Sequence, residues 1–320
     1  MTEFLQHLVN GLSVGAIYAL VALGYTMVYG VLKLINFAHG DVYMVGAFAG
    51  YYLAQLIVGG SYDPEAASAT IFVQALVVTV GSMVICGALG YTIERFAYRP
   101  LRHRARLTSL ITAIGVSFLL EFGFQLKPWF KTPIEFPPGS SFRVFPSLIP
   151  RSQWEWAENT LGVSVSNLDM YGLLMAVVLM IMLQYIVYRT KFGTAMRAVS
   201  FDWQTASLMG IPVNRVISWT FVLGSALAAA AGVIQAVSRP KIDPLFGLMP
   251  GLKAFVAAVL GGIGNVPGAM VGGLVLGLAE EYVAGYTDSS YRDAIAFSVL
   301  ILVLLVRPSG LFGRVTVEKV

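Results

Sequence analysis

Long apolar stretches run through almost the whole chain and leave little polar sequence between them. The first, at residues 10–29, has 20 residues and no carboxylate, amine or guanidinium side chain. A helix of roughly 20 apolar residues spans about 30 Å, the thickness of the hydrocarbon core of a bilayer. With 57% hydrophobic and 12% charged residues, the chain has too few polar side chains to cover a water-soluble domain of this size. The sequence therefore predicts a helical membrane protein.

Further regions extend this pattern along the chain. Apolar stretches cover 42–58, 70–91, 107–126, 170–188, 216–237 and 294–306, and a glycine-broken apolar region covers 252–283. No soluble domain fits between them, because the longest polar interval, 127–169, has only 43 residues. We therefore predict one transmembrane domain over residues 1–320. Its fold class is an all-α, polytopic transmembrane helical bundle with eight or nine spans, including discontinuous helices.

Positive charge is distributed unevenly among the intervals between the spans. Three intervals, 94–106, 189–215 and 307–320, hold 12 of the 21 Lys and Arg residues but only 3 of the 17 Asp and Glu residues. Cytoplasmic loops of membrane proteins carry such an excess of Lys and Arg, so these three are predicted to be cytoplasmic. The interval 127–169 balances four basic residues against four acids and contains three tryptophans, which is typical of an external loop near the headgroups.

These assignments fix the direction of the remaining segments. The amino terminus is then external and the turn at 30–41 internal. An internal carboxyl terminus requires the region 252–283 to leave and re-enter the same side, which we predict it does as two short half-spans. The net charge of +4 reflects inner-face arginines beside an anionic leaflet, so no nucleic acid partner is predicted.

Motifs for soluble enzyme chemistry are missing from the sequence. The chain has three histidines and one cysteine, Cys86, and it lacks the GxxxxGK[ST], HExxH, CxxC and GxSxG patterns. We therefore predict that the protein is not an enzyme and has no catalytic residues, metal site or cofactor of its own. Any energy source must come from ions or from another subunit.

The turn between the first two spans carries the first cluster of polar groups. Asn36, His39 and Asp41 supply donors and acceptors there, and Gly40 permits the close approach of a neighbouring backbone. Non-helical backbone at membrane depth is tolerated where it lines a cavity, so these four residues are predicted to line a translocation pathway. Alternatively, the segment is a plain cytoplasmic turn in which Asn36 and Asp41 cap helices.

Four charged residues lie within or near apolar stretches: Glu121, Lys253, Glu280 and Glu281. Ionisable groups are costly in a bilayer and tend to face a cavity or a partner. On this basis Lys253 is also assigned to the predicted pathway. Each of the four lies near the end of a predicted span, where a long side chain can instead reach the headgroups.

Glycines interrupt the apolar pattern after residue 260. Gly261, Gly262, Gly264 and Pro267 break a helix and are predicted to form a gate or hinge, with a static turn as the alternative. Elsewhere glycine or alanine recurs at every fourth position, a spacing that lets helices pack closely in membranes. Such sets occur at 224/228/232, 268/272 and 273/277.

The predicted cytoplasmic loop at 189–215 has the pattern of a short helix with a defined start and end. Asp202 is a typical N-cap residue, and Gly210 followed by Pro212 ends the helical pattern. A short helix across the inner mouth of the bundle is suited to docking on a cytosolic partner, whereas a solvated linker is the alternative. The residues assigned to this coupling role are Arg197, Asp202, Gln204, Ala206 and Gly210.

Several of these segments closely resemble one family of transport proteins. The motifs are ALGYTMVYG at 22–30, INFAHG at 35–40, ERFAYRP at 94–100 and KAFVAAVLGGIG at 253–264. Together, and in this order, they resemble the shorter permease subunit of high-affinity branched-chain amino acid ABC importers. The resemblance extends from about residue 10 to the tail at 317–320.

The resemblance implies a multi-pass permease in the bacterial inner (plasma) membrane. It also implies a second, longer permease subunit, two cytosolic ABC ATPase subunits and a periplasmic or surface substrate-binding protein that delivers leucine, isoleucine or valine. ATP and Mg would be used by the partner ATPases and not by this chain. Residues 204–210 resemble a degenerate EAAxxxG coupling loop, in which Gln204 and Thr205 replace the usual Glu and Ala.

Other interpretations of the sequence stay open. Permeases of urea and short-amide ABC importers share much of this pattern. An ion-coupled secondary amino acid transporter would also be polytopic and glycine-rich, and it predicts a buried coupling carboxylate, for which Glu121 is the isolated candidate. A channel or a membrane enzyme predicts conductance by the chain alone or a cluster of catalytic residues, and the sequence contains no such cluster.

Overall fold

Helices make up most of the computed structural model, which describes residues 2–59, 68–102, 104–129 and 135–313. The helices are α1 (Thr2–Leu32), α2 (His39–Val58), α3 (Ser68–Ile93), α4 (Arg106–Gln125), α5 (Glu155–Leu161), α6 (Asn167–Arg189), α7 (Lys191–Phe201), α8 (Trp203–Leu208), α9 (Val213–Ser238), α10 (Leu248–Gly261), α11 (Val266–Tyr286) and α12 (Arg292–Val306). A π-helical turn, Glu94–Tyr98, and a 3-10 turn, Arg99–Leu101, continue α3, and a second 3-10 turn, Ser289–Tyr291, precedes α12. The tail at 317–320 lies outside the described residues.

Eight helices of the described chain are long and apolar enough to cross a membrane. They are α1, α2, α3 with its extension, α4, α6, α9, α11, and α12 together with the 3-10 turn before it (Ser289–Val306, 18 residues), and they match the apolar stretches of the sequence. The predicted all-α transmembrane bundle is confirmed. A further apolar helix, α10, has 14 residues and is too short to span about 30 Å of hydrocarbon.

The region 252–283 forms one short helix and one full-length helix. The prediction of two short half-spans is therefore right for α10 and wrong for α11, which has 21 residues. Asn265 accepts a hydrogen bond from the Gly268 N–H at 3.2 Å and so caps the start of α11. Pro267 lies in the first turn, where its missing N–H costs no helical hydrogen bond. The proline thus starts a helix here and does not interrupt one.

α1 and α9 form the centre of the bundle. In their apolar windows 83% and 78% of the residues are buried, compared with 11% in α4 and α12. Both central helices are apolar on all sides, which is the pattern of a helix surrounded by other helices. Small residues then allow the neighbouring backbones to approach closely.

Glycines make the closest contacts of α1 and α9. A Cβ on Gly277 of α11 would lie 2.3 Å from the Gly15 Cα of α1. A Cβ on Gly232 of α9 would lie 2.3 Å from the Tyr43 carbonyl oxygen of α2. The small-residue positions predicted from the four-residue spacing therefore are helix contacts.

Two short strands connect the predicted external loop to the segment between α9 and α10. β1 (Arg143–Val144) pairs antiparallel with β2 (Lys241–Ile242). The Phe145 N–H also donates to the Pro240 carbonyl at 2.6 Å. This pairing holds the chain at the position from which it re-enters the bundle toward α10.

Candidate translocation site

Helix α2 begins inside the bundle and not at its edge. His39, the first residue of α2, lies against Gly24 of α1. A Cβ built on Gly24 would lie 2.3 Å from the His39 Nε2 atom and 3.0 Å from the Gly224 carbonyl oxygen of α9. Gly24 is eight residues before the end of α1, and Gly224 is eleven residues after the start of α9. At 1.5 Å per residue, α2 therefore starts about 12 to 16 Å from the inner ends of these helices.

Helix α10 begins at the same place as α2, coming from the opposite side. A Cβ on Gly247 would lie 1.9 Å from the Gly40 carbonyl oxygen, and one on Gly251 would lie 2.8 Å from the Gly40 Cα. Only glycine fits at these three positions without moving a helix. Helix amino termini carry partial positive charge, so two positively polarised helix ends meet within the bundle.

The polar residues predicted at this turn are held by different helices. The Tyr98 hydroxyl, at the end of the α3 extension, donates to Asn36 Oδ1 at 2.8 Å. The Ser117 hydroxyl of α4 donates to the Asp41 carboxylate. The His39 ring meets the edge of Tyr25 at a centroid distance of 4.6 Å. Asn36, His39 and Asp41 are all buried.

The capping alternative for this turn fails for Asn36. The residue at the N-cap position of α2 is Ala38, and no side chain caps that end. Asn36, His39, Gly40 and Asp41 do lie together, as the sequence predicted. Their role in lining a pathway stays a prediction.

Lys253 has its own set of partners on three other helices. Its Nζ atom lies 2.7 Å from Glu280 Oε1 of α11 and 2.7 Å from Asp293 Oδ1 of α12. The Tyr18 hydroxyl of α1 donates to Glu280 Oε2 at 2.9 Å. The positive charge predicted to face the pathway is thus matched by carboxylates that the sequence analysis had not paired with it.

A second charged cluster lies next to this one. Arg292 Nη2 donates to Glu281 Oε2 at 2.8 Å, and Asn10 Nδ2 lies 3.4 Å from Glu281 Oε1. His7 Nδ1 is 3.9 Å from the same oxygen. Adjacent glutamates on one helix therefore have separate partners. The sequence identified Glu280 and Glu281 as unusual but gave no signal for their partners.

The predicted gate residues form a tight turn between α10 and α11. Gly262 and Gly264 have φ angles of +101° and +93°, a region that favours glycine. The carboxyl-terminal segment covers this turn, because Leu311 and Phe312 donate to the Leu260 and Gly261 carbonyls at 2.8 and 3.2 Å. Whether this turn opens as a gate stays a prediction.

The predicted short helix of the inner loop is present as α8. Asp202 accepts hydrogen bonds from the Gln204 and Thr205 N–H groups at 2.8 and 3.2 Å, so the predicted cap is confirmed. The Thr205 hydroxyl, which also donates to this carboxylate, and the two backbone N–H groups lower the pKa of Asp202 below its ordinary value. Gly210, with φ +80°, ends the segment. Of α8, Ala206 is the buried residue.

Arg197 attaches α7 to the end of α6. Its guanidinium donates to the Val187 carbonyl and lies over the Tyr188 ring at 5.5 Å from the centroid. The loop thus turns back on the helix that precedes it. Two residues at the other end of this segment, Phe201 and Leu208, protrude with 95% and 87% exposure. Neither residue was assigned to the predicted coupling role.

Glu94 organises a further polar contact that the sequence analysis treated as part of a topology signal. Its side chain is fully buried and accepts hydrogen bonds from Arg102 and from the Ser218 hydroxyl of α9. Arg102 also donates to Asn214 Oδ1 at 2.8 Å. Both carboxylate oxygens of Glu94, the acidic residue of the arginine-rich segment, therefore accept hydrogen bonds within the fold.

Comparison with known proteins identifies the group to which this architecture belongs. A family model described as the permease component of the branched-chain amino acid transport system matches residues 7–304. The high-affinity branched-chain amino acid transport system permease protein BraD of Pseudomonas aeruginosa is 42% identical over 319 residues, which cover 99% of this chain and 98% of BraD. LivH of Escherichia coli K12, with a corresponding name, is 41% identical over 318 residues with the same coverage.

A more distant relative extends the comparison to an archaeon. The branched-chain amino acid transport permease protein LivH of Methanocaldococcus jannaschii is 26% identical over 305 residues, covering 92% of this chain and 88% of its own. These relatives have the names of permeases and not of enzymes, as the sequence predicts. Because the family model and two relatives above 40% identity span nearly the whole chain, this protein belongs to the family of branched-chain amino acid transport system permease components.

Proposed function

We propose that this chain is the shorter permease subunit of an ATP-driven ABC importer that moves leucine, isoleucine and valine across the bacterial inner membrane. The observation that carries the proposal is the identity of 41–42% to two permeases of branched-chain amino acid transport systems over nearly their full lengths. The eight apolar helices provide the membrane domain that such a subunit needs. Transport proceeds by alternating access, with inward-open and outward-open arrangements of the bundle.

Two cytosolic ATPases are proposed to dock on the segment formed by α7 and α8. Phe201, Leu208 and Met209 are 95%, 87% and 78% exposed there, and protruding apolar side chains mark interaction sites. The cap at Asp202 and the glycine at 210 make α8 a defined element and not a loose linker. Movement of the ATPases is then passed to the bundle through α7, which packs on α1, α6 and α9.

The second, longer permease is proposed to cover α4. Ile111 and Leu119 of α4 are 67% and 71% exposed, and a Cβ on Gly115 or Gly123 would meet no atom of the described residues within 4 Å. Small residues are enriched where membrane helices pack against each other. The other exposed span, α12, carries mostly Ile, Leu and Val on its open face and suits lipid.

The amino acid is proposed to pass the point where α2 and α10 begin. Two helix amino termini meet at Gly40 and Gly247 and favour an anionic group such as the carboxylate of an amino acid. Asp41, in the first turn of α2, provides a negative charge for the ammonium group. The chain contributes this lining and binds no cofactor, while ATP and Mg are bound by the ATPase subunits.

A substrate-binding protein is proposed to deliver the amino acid from the external side. The predicted external loop exposes Trp129, Trp154 and Trp156, which are 72%, 42% and 66% accessible. Exposed aromatic side chains are frequent energetic anchors of protein interfaces. Affinity for the cargo would come mainly from that protein, so the permease needs no dense polar pocket.

The proposal is tested by reconstituting this chain in liposomes with the second permease, the ATPases and the binding protein. Uptake of radiolabelled leucine should require ATP and the binding protein. The control is liposomes that contain this chain alone under an imposed proton or sodium gradient, where no uptake is expected. Gradient-driven uptake by the chain alone would replace the proposal with an ion-coupled transporter. ATP-driven uptake of urea and not of leucine would show that the proposed cargo is wrong.

A further inference from the structure

A long groove opens on the side of the bundle between α3 and α6, with α9 as its floor. Its volume is about 1170 Å³. One end is closed where the Tyr171 hydroxyl lies 2.8 Å from Thr79 Oγ1 and donates to the Ala75 carbonyl at 3.2 Å. Beyond this contact the two helices are separated by the groove. Its lining residues belong to α3 with its extension, α6 and α9, and none of them is among the proposed pathway residues.

The walls of the groove are apolar along most of its length. Val80 and Val84 of α3 are 47% and 67% exposed, and Val178 and Met182 of α6 are 49% and 55% exposed. The lining runs along α3 from residue 76 to residue 92, which at 1.5 Å per residue is about 24 Å. One leaflet contributes about 15 Å, half of the hydrocarbon thickness. The groove is therefore long enough to hold an extended acyl chain.

The open end of the groove is positively charged. Arg95 and Arg99 of the α3 extension and Arg215 of α9 line it there. Within the described part of the chain, none of these three arginines forms an ion pair. The nearby Glu94 carboxylate is buried and already accepts hydrogen bonds from Arg102 and Ser218, so it leaves the three charges uncompensated.

Polar groups suited to a headgroup lie at the same end. Asn214 lines the groove beside the arginines, and the Trp219 ring, 58% exposed, lies on its floor. The amphipathic tryptophan ring is typical of headgroup depth. Arginine presents a planar fork of N–H donors that fits the oxygens of a phosphate.

We propose that this groove is a binding site for an anionic phospholipid of the inner leaflet. The acyl chain lies between α3 and α6, and the headgroup phosphate lies on Arg95, Arg99 and Arg215. Basic pockets between transmembrane helices on the cytoplasmic side bind anionic headgroups in this manner. The arginines lie in segments assigned to the cytoplasmic side by their charge, which places the headgroup at the correct leaflet.

The charge arm of the test uses native mass spectrometry of the purified permease complex in detergent. Phosphatidylglycerol is titrated against phosphatidylethanolamine, and the fraction of complex with bound lipid is measured. The wild type should retain phosphatidylglycerol preferentially, and each of Arg95→Gln, Arg99→Gln and Arg215→Gln should weaken its binding about fivefold. Arg307→Gln removes an exposed arginine outside the groove and should change nothing. Equal binding of both lipids, or equal effects of all four variants, would overturn the proposal.

The shape arm fills the groove without changing its charge. Ala88→Phe adds a ring at a groove-lining position of α3, whereas Ile85→Phe adds volume to an exposed side chain of the same helix outside the lining. Only Ala88→Phe should reduce the bound phosphatidylglycerol. Both variants are first checked for assembly by size-exclusion chromatography, and retained binding in an assembled Ala88→Phe complex counts against the groove.

A competing occupant is a helix of the second permease. Val84→Cys in a Cys86→Ser background places one thiol on the groove wall, since Cys86 is the chain's single cysteine. No crosslink between this thiol and the second permease is expected when the complex is treated with a short bifunctional thiol reagent. A crosslink would show that protein covers the groove and would overturn lipid binding. Lipid binding and crosslinking are both measured without transport, so neither result depends on whether the cargo is leucine.

Discussion

Glycines in this chain occupy two very different surroundings. Gly273 and Gly277 of α11 lie where a Cβ would come within 2.4 and 2.3 Å of backbone atoms of α1. Gly115 and Gly123 of α4 lie where a Cβ would meet nothing within 4 Å among the residues that the structure describes. At the first pair the missing side chain is a packing requirement. At the second pair the surface is open for a partner.

Replacing Gly277 by alanine is therefore expected to destabilise the isolated chain. The added methyl group forces α1 and α11 apart, and overpacking of this kind costs about 1–3 kcal/mol. The midpoint of thermal unfolding in detergent should fall. Gly115→Ala is the matched control, because it adds the same methyl group into open space, and its midpoint should be unchanged or higher. Equal midpoints for both variants would contradict the packing argument.

The side-chain carboxylate of Asp202 caps the start of α8. Asp202→Ala removes the acceptor for the Gln204 and Thr205 N–H groups, so ATP-driven uptake by the assembled importer should fall several-fold. Asp202→Asn keeps an equivalent cap and should retain most of the uptake. Equal uptake by the alanine variant and the wild type would remove α8 from the coupling role.

The pH dependence of α8 follows from the lowered pKa of Asp202. A carboxyl group whose pKa is lower in the folded than in the unfolded state stabilises the fold at pH values above its unfolded-state pKa. That stabilisation is lost as the pH falls through the folded-state pKa. The cap should therefore persist as pH falls through about 4, the ordinary value for Asp, and weaken only below it. Amide hydrogen exchange of α8 measures this, and the asparagine variant should show no such transition.

At the scale of helices, a buried ion pair joins α10 to α11. The 14 residues of α10 bring Lys253 to Glu280, and these side chains are 8% and 2% exposed. Removing one partner of a buried ion pair leaves the other charge uncompensated, whereas removing both is far less costly. Asp293, the second partner of Lys253, is 54% exposed and can be hydrated.

Lys253→Met alone should therefore be worse than the double substitution. It is expected to cost about 3–5 kcal/mol, because the buried Glu280 carboxylate loses its ion-pair partner, whereas Glu280→Gln should cost less because Lys253 keeps Asp293. The double variant Lys253→Met/Glu280→Gln should recover part of that loss. Thermal unfolding of the purified chain gives the three values. Additive effects of the two substitutions would show that the pair is not energetically coupled.

At the scale of the whole molecule, two helices on the surface differ in character. α4 and α12 are the least buried of the eight candidate spans. α4 combines open glycines with the Asp41 contact at Ser117, while the open face of α12 is formed by branched aliphatic residues such as Leu302 and Leu305. On the proposed function, we expect the α4 face to meet the second permease and the α12 face to meet lipid.

Crosslinking should separate the two faces. Single cysteines at Gly115 or Leu119 of α4, in a Cys86→Ser background, are expected to crosslink to cysteines in the second permease. Cysteines at Leu302 or Leu305 of α12 are equally exposed controls and should give no such product. The products are resolved by gel electrophoresis. A crosslink from α12 and none from α4 would assign the interface to the opposite side.

The sequence predicted the spans, the inner loop and the cap at Asp202, because apolar length and capping chemistry are local properties of the chain. It also predicted a break between the first two spans, which the structure places at residues 33–38, so that His39, Gly40 and Asp41 belong to α2. It did not predict that α2 starts inside the bundle, since apolar length says nothing about depth relative to neighbours. The partners of Lys253 were missed for a similar reason: Glu280 and Asp293 are brought to it by packing across three helices. The length of α11 was missed because Pro267 begins a helix as readily as it ends one.

The contact between α10 and α11 is made by residues with almost no side chain. A Cβ on Gly261 would lie 2.0 Å from the Gly268 carbonyl, and one on Gly272 would lie 2.2 Å from the Ala257 carbonyl. Where the two backbones meet at glycine, no side chain of that residue has to rearrange if α10 shifts along α11. Axial displacement of α10 is resisted mainly by the Lys253 to Glu280 pair and by the hydrogen bonds of the carboxyl-terminal segment. If these contacts are broken, α10 can shift along its axis against α11 while the neighbouring helices stay in place.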